Sequence, residues 1–316
     1  MEVFDVVVIG GGPAGLCAGL YAGRAKLKTV VLEKGVPGGQ IVNTGDVEDY
    51  PGFEHIMGPE LAQKMEEHCK KFGAEIRMEE VLEVYCDGED RVTRTDENEY
   101  RSKVVILSAG GSPNYLEIPG EKDYWGKGVS YCAICDGAFF QDEVIAVIGG
   151  GDAAVEEGLF LTKYGSKVPI IHRRDQLRAT KIIQERAFSS EKIEFIWDTV
   201  VEEIVGDDKE VKHLKLKNVK TGETDRLDVG GVFIFIGFTP NSGLVREPLD
   251  KDENGYYVTD ETMQTNIPGI YAVGDVRTQV ARQLTTAVGD ATTAAVAAEK
   301  YIESLHDKEA ASTSSV

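Results

Sequence analysis

The chain has 316 residues, 42% hydrophobic and 28% charged, a folded globular composition on a length that predicts two domains. Its formal net charge of −20 argues against nucleic acid, which is bound through stripes of Lys and Arg, and no stretch approaches the ~20 apolar residues of a membrane span. Residues 1–5 form no basic signal region, and five cysteines, an odd number, make no disulfide framework, so a cytosolic setting with one redox pair is expected.

Residues 3–9 are a continuous apolar, β-rich run, which predicts a strand buried on both faces of a parallel sheet. Gly10, Gly11, Gly12, Pro13, Ala14 and Gly15 turn it into a helix over 16–26. Residues 29–33 are the next strand, so the βαβ unit closes on Glu33. Residues 104–114 read as a buried strand, a glycine turn and a Pro-Asn exit, and 232–241 repeat that pattern. Between the two, the βαβ unit returns: strand 144–148, fingerprint Gly149-Gly-Gly-Asp-Ala-Ala154, helix 155–164 and strand 167–171. The segment after Asn241 has no fingerprint and is expected to complete the first unit. It ends in an alanine-rich helix from about 282 to 305 and a frayed Ala/Ser/Thr-rich tail from about 306. The predicted fold is α/β, with two Rossmann-like dinucleotide-binding domains of three-layer ββα type. Residues 114–240 are the domain inserted between 1–113 and 241–316.

Both fingerprints follow a strand and precede a helix, the context in which glycines let a pyrophosphate approach the helix N-terminus. The residues after each second strand separate the two sites. Glu33 can accept hydrogen bonds from ribose hydroxyls. His172, Arg173 and Arg174, with Arg178 one turn further on, suit a 2′-phosphate through forked contacts. The first site is therefore expected to take an adenine dinucleotide without that phosphate, and the second NADP. A solvated basic face is the alternative for the arginines.

Cys132 and Cys135 flank two residues, the spacing of a dithiol that closes into a small disulfide ring. With no second such pair, a zinc site lacks ligands and no metal is expected. Asp136 can supply or remove a proton during thiol–disulfide exchange, or cap the short helix over 137–140. Cys17 reads as a small buried hydrophobe, and Cys69 and Cys86 as structural or incidental.

With these residues together, the chain resembles the low-molecular-weight, bacterial-type thioredoxin reductases, nearly end to end. The resemblance is carried by both fingerprints, Gly38-Gly39-Gln40, Tyr50-Pro-Gly52, the block from Gly128 through Cys132-Ala-Ile-Cys135 to Gly137, His172-Arg-Arg174 and Gly274-Asp275. Asp49 stands where the family usually has Asn, and Asp152-Ala153 where Asn-Thr or Asp-Ser is common. The resemblance implies a flavoprotein oxidoreductase that passes electrons from NADPH through FAD and the Cys132–Cys135 dithiol to thioredoxin. FAD contacts are implied for Gly10, Gly11, Gly12, Pro13, Ala14, Gly15, Glu33, Gly39, Gln40, Asp49, Val84, Ala109, Gly110, Gly274, Asp275, Arg282, Gln283 and Leu284. NADP contacts are implied for Gly149, Gly151, Asp152, Ala153, Ala154, Glu157, His172, Arg173, Arg174 and Arg178. Cys135 is implied to lie next to the flavin, Asp136 to protonate, and Cys132 to attack the partner's disulfide. A homodimer, a partner contact at Lys127 and a hinge at the crossings near Pro113 and Pro240 are implied too, since dithiol and NADPH fingerprint share one domain and must take turns at the flavin. Another thioredoxin-like or peroxiredoxin-linked client, a ferredoxin-fed or oxygen-using flavoprotein, and a non-enzymatic redox sensor remain open as alternatives.

Overall fold

The structure, a computed structural model, describes residues 1–44 and 46–313. The chain forms two compact units, one of Met1–Val42, Val47–Ser112 and Thr239–Val316, the other of Pro113–Phe238 with Asn43–Asp46. The second is thus a long insertion in the first.

In the first unit the strand Glu2–Ile9 lies parallel between Thr29–Glu33 and Glu99–Leu107, with Ile9 opposite both Leu32 and Leu107. Glu75–Met78 extends the parallel set beyond Thr29–Glu33. The strand Glu99–Leu107 has two partners along its far edge. Its first half pairs antiparallel with Asp90–Thr95, which continues into Val81–Asp87, and Val105 to Leu107 pair parallel with Ile270–Ala272. Alternation of side chains explains the unbroken apolar run. Val6, Val8, Val104 and Ile106 face the helices, while Val7, Ile9, Val105 and Leu107 face the layer that holds Leu249 and Tyr257.

The helix Pro13–Arg24 packs closely because its residues are small. A Cβ at Gly19 would stand 2.8 Å from Cys69 Sγ and from Val31 Cγ2. The last helix, Leu284–Thr313, runs on past its expected end near 305, as its alanine content allows. Ala287, Ala291, Ala294 and Ala298 recur at helical spacing on its buried face. Residues 314–316, the end of the expected tail, lie outside the described residues.

In the second unit five strands run parallel in the order Val129–Ser130, Gly231–Phe235, Ile145–Gly149, Val168–Ile171, Ile193–Ile196. The antiparallel sheet Thr199–Gly206, Val211–Asn218, Thr224–Asp228 covers the face of Ala146, Ile148, Val232 and Ile234. The helix Asp152–Leu161 covers the face of Ile145, Val147, Ile170 and Phe233. That is the three-layer arrangement expected. In each unit the strand order reverses beside the fingerprint strand, so each fingerprint sits at the carboxyl-end crevice where open α/β sheets bind ligands.

Glu79 fastens the edge of the first sheet. Its carboxylate is buried and accepts from Thr95 Oγ1 (2.6 Å), Tyr100 OH (2.6 Å) and Asn98 Nδ2 (2.9 Å), while its N–H donates to Glu33 O (3.0 Å). Burial would raise this carboxyl, but the donors from Thr95, Tyr100 and Asn98 outweigh it and hold it below the usual glutamate range. A depressed folded pKa contributes stability above the unfolded value near ~4.3 that is lost as pH falls through the folded one. Glu79→Ala is expected to cost about 2–4 kcal/mol at pH 7, read by thermal or urea unfolding, with the gap from the parent narrowing below about pH 4.

Candidate functional site

At the first fingerprint the chain turns on Gly10, whose φ of +101° suits glycine and whose missing Cβ would lie 2.5 Å from Ser108 O. A Cβ at Gly15 would overlap Gly10 O at 1.8 Å, so helix and strand meet through backbone alone. Ser108 closes the joint, its Oγ donating to Ile9 O (2.8 Å) and Gly10 O (2.9 Å). The helix then begins at Pro13, with Gly12 as a cap that offers no side-chain acceptor. Its first-turn N–H groups remain available to an anion.

Four distant segments gather here. Glu33 Oε2 accepts from Gly11 N at 2.7 Å and Oε1 from Gly35 N at 3.0 Å, which fixes the carboxylate beside the turn with lone pairs to spare. Gly38 N donates to Gly11 O (2.8 Å), and a Cβ on Gly39 would stand 3.0 Å from Gly12 Cα. Gly274 packs on the helix start, 3.0 Å from Ala14 Cβ by the same measure, and leaves Asp275 exposed beside it. Ala109 O and Gly110 O accept from Asn241 Nδ2 (2.8 Å) and N (3.0 Å). Gln40 Nε2 approaches Gly111 O at 3.5 Å. Arg282 lies 4.1 Å over the Tyr256 ring, and Gln283 N donates to Thr286 Oγ1 (3.1 Å) just before the last helix starts at Leu284.

Asp49 and Val84 are not gathered in this way. Asp49 is exposed in a bend. Val84 is fully buried, its N–H donating to Leu244 O and its C=O accepting from Arg246 N, both at 2.8 Å.

The second fingerprint repeats the joint. Gly149 has φ +151° and a missing Cβ 2.3 Å from Phe235 O, and the helix Asp152–Leu161 starts behind Gly151, again without a side-chain cap. Gly150 O accepts from Arg178 N (2.7 Å) and Asp152 Oδ1 from Thr180 N (2.7 Å), which draws the arginine segment to the turn. A cavity of about 150 Å³ opens there, walled by Gly151, Asp152, Ala153, Ala154 and Arg178, with Pro113, Tyr131, Phe235, Gly237 and Phe238 opposite. Arg173, Arg174 and Arg178 are exposed and form no ion pair among the described residues. Glu157 is buried on the helix, away from that cavity.

His172 differs from the expectation. It is 5% exposed and lies under the turn, where a Cβ on Gly150 would come within 2.4 Å of its ring, and it meets Trp197 edge-on at 6.4 Å. It packs beneath the turn instead of standing with the exposed guanidinium groups. Tyr131, Gly237 and Phe238 were not singled out from sequence, although Gly237 sits in the repeated strand–glycine–Pro-Asn pattern and has φ +105°.

Cys132 and Cys135 are joined, with S–S 2.06 Å. Cys132 caps the one-turn helix Ala133–Asp136, and its Sγ accepts from Cys135 N at 3.1 Å. Asp136 is half-buried and its side chain caps nothing, so the capping alternative is not realised. Cys17 and Cys69 are buried, and burial pushes both thiols up, Cys69 to about 12, which keeps them protonated and inert. Among the described residues no group of His, Cys, Asp or Glu is placed to hold a metal ion, and no helix is long and apolar enough to cross a membrane.

Comparison with known proteins places this geometry. Residues 4–291 match the pyridine nucleotide-disulphide oxidoreductase family. The chain is 48% identical over 306 residues to a thioredoxin reductase of Listeria innocua, covering 97% of this chain and 96% of that protein. It is 47% identical over 306 residues to a thioredoxin reductase of Bacillus subtilis, covering 97% of both. The crystal structure of Lactococcus lactis thioredoxin reductase in its FR conformation superposes with a TM-score of 0.93 at 51% identity, covering 95% of this chain and 99% of that one.

Burial holds the His172 imidazole below its usual pKa, and the charges of Arg178, Arg174 and Arg173 add to this, against a raising hydrogen bond that the imidazole donates to the Gln176 backbone. The unfolded chain binds the proton first, so stability is full above about pH 6.5 and falls as pH drops toward the folded value. Melting temperatures recorded between pH 7.5 and 5 should therefore fall less steeply for His172→Asn than for the parent.

Proposed function

The chain belongs to the pyridine nucleotide-disulphide oxidoreductase family, and from that membership we propose that it is a thioredoxin reductase, passing electrons from NADPH through FAD and the Cys132–Cys135 pair to oxidised thioredoxin. The observation that carries the reading is a closed disulfide in the same unit as a nucleotide-type fingerprint flanked by three unpaired arginines.

The residues fit both cofactors. The uncapped helix start at Gly12 and Pro13, the fixed Glu33 carboxylate and the close approach of Gly39 suit the pyrophosphate and ribose of FAD, with Asp275 and the residues from Arg282 to Leu284 toward the rest of it. The cavity at Gly151–Ala154 suits a second nucleotide, and Arg173, Arg174 and Arg178 supply the forked donors that a 2′-phosphate requires. When bound, the flavin and the nicotinamide supply the hydride chemistry that feeds an electron pair to the disulfide.

The dithiol then acts through its own geometry. Reduction adds two electrons and two protons across Cys132–Cys135, and Asp136, next in the chain after Cys135, is the residue to hand over one proton. The Cys135 N–H aimed at Cys132 Sγ stabilises a thiolate on Cys132, which makes Cys132 the nucleophile although Cys135 is the more exposed of the two. Cys132 attacks the thioredoxin disulfide, one partner sulfur leaves as thiolate, and Cys135 resolves the mixed disulfide to re-form the internal bond. The three arginines argue against a ferredoxin-fed relative, which has no 2′-phosphate to hold. The name of the relatives above supports thioredoxin as the client, and Lys127 as a docking cation, a homodimer and a cytoplasmic setting belong to the same proposal.

Anaerobic stopped-flow mixing with NADPH should bleach the flavin in the parent and in Cys135→Ser, while only the parent reduces thioredoxin. Arg173→Ala with Arg174→Ala should raise the KM for NADPH roughly 10–100-fold and leave that for NADH nearly unchanged. Equal use of NADH by the parent, or reduction of thioredoxin by Cys135→Ser, would contradict the assignment.

A further inference from the structure

Glu121 is a carboxylate at 2% exposure with no cation against it among the described residues, a costly thing to bury. Three donors compensate it. Leu116 N reaches Oε1 at 2.8 Å, Glu117 N reaches Oε2 at 2.6 Å, and Tyr131 OH reaches Oε1 at 2.6 Å. The loop that carries Glu121 is itself held rigidly. Ile204 N donates to Pro119 O at 3.0 Å, and Gly120, at φ +87°, lies so close to Ile204 that a Cβ would come within 1.9 Å of its carbonyl oxygen.

Two backbone amides could be satisfied by any carbonyl or by water, so they do not account for a buried charge. The third donor does more. Tyr131 joins the strand Val129–Ser130 to Cys132, and it is one of the residues that wall the cavity with Gly151, Ala154 and Arg178. Its outer side meets Tyr115 edge-on at 5.3 Å and Trp125 at 6.2 Å. A phenol free to rotate would swing into or out of the cavity. Bonded to an acceptor on a pinned loop, it has one position.

We propose that Glu121 is a positioning residue for the nucleotide pocket, holding the Tyr131 ring by its hydroxyl as a wall of the cavity beside Gly151 and Arg178 and so setting the affinity for pyridine nucleotide. The proposal rests on the reading that this cavity takes NADPH. Tyr131→Phe keeps the ring and releases it. Glu121→Ala removes the acceptor, whereas Glu121→Gln can turn its amide N–H₂ toward Glu117 N and keep the phenol bonded to its oxygen.

The test is calorimetric titration of NADP⁺ into oxidised holoenzyme, supported by the split between KM for NADPH and kcat. Tyr131→Phe and Glu121→Ala are each expected to raise the NADP⁺ Kd about three- to ten-fold at unchanged kcat, and the double variant to do no worse than the singles, because both remove the one Tyr131–Glu121 bond. A Kd within about two-fold of the parent in Tyr131→Phe, or a double variant whose losses multiply, overturns the proposal. If Glu121→Ala does not fold, Tyr131→Phe decides alone. A parent that binds NADP⁺ no better than Arg178→Ala does would overturn the nucleotide reading itself, and the positioning role with it. Tight parental binding with an unchanged Tyr131→Phe would remove only the positioning role.

Discussion

Two contacts of backbone on backbone organise everything else in this protein. Gly10 lies against Ser108 O and Gly149 against Phe235 O, each so close that a Cβ would collide, and each at a positive φ. Only glycine can bring the end of a central strand that near to its neighbour and turn at once into a helix. The consequence is chemical. The helix start is left without a side-chain cap, and its first N–H groups point into a crevice where the strand order reverses. A helix start without a side-chain cap arises twice from one local constraint, and the residues placed around each copy then distinguish them: a carboxylate fixed at Glu33, and exposed guanidinium groups at Arg173, Arg174 and Arg178.

The repeated sequence pattern at 104–114 and 232–241 gains a physical meaning from these contacts. In each unit that strand runs directly behind the fingerprint glycine, and the turn after it supplies the residues that close the site. In the first unit Asn241 ties Ala109 and Gly110, and in the second Gly237 lies opposite the helix start. The dithiol is local to the second unit. Its one-turn helix aims a single backbone N–H at Cys132 Sγ.

Much of this was legible in the sequence. Unbroken apolar runs at 3–9, 104–107 and 144–148 mark buried parallel strands, and both glycine turns stand in the sequence itself. Legibility failed where a residue's role depends on what packs against it from far along the chain. His172 reads as one of a basic cluster, yet it is buried under the turn at Gly150, and that burial disfavours its charged form. Val84 carries no polar side chain, and its backbone groups are taken by Leu244 and Arg246, a pairing that no local pattern announces. Glu121 and Tyr131 look like a surface acid and a spacer before the dithiol. Their bond spans ten residues and becomes visible only in the fold, where Glu121 is buried and Tyr131 stands half-buried at the cavity.

The central claim is that pyridine nucleotide and the Cys132–Cys135 disulfide are the two ends of one electron path. Differential alkylation mapped by mass spectrometry tests it directly, on flavin-loaded protein before and after one equivalent of NADPH without oxygen. The account predicts new thiols at Cys132 and Cys135 together, with Cys17 and Cys69 shielded throughout and Cys86 unchanged. Oxidation of NADPH with the Cys132–Cys135 bond left intact would contradict it.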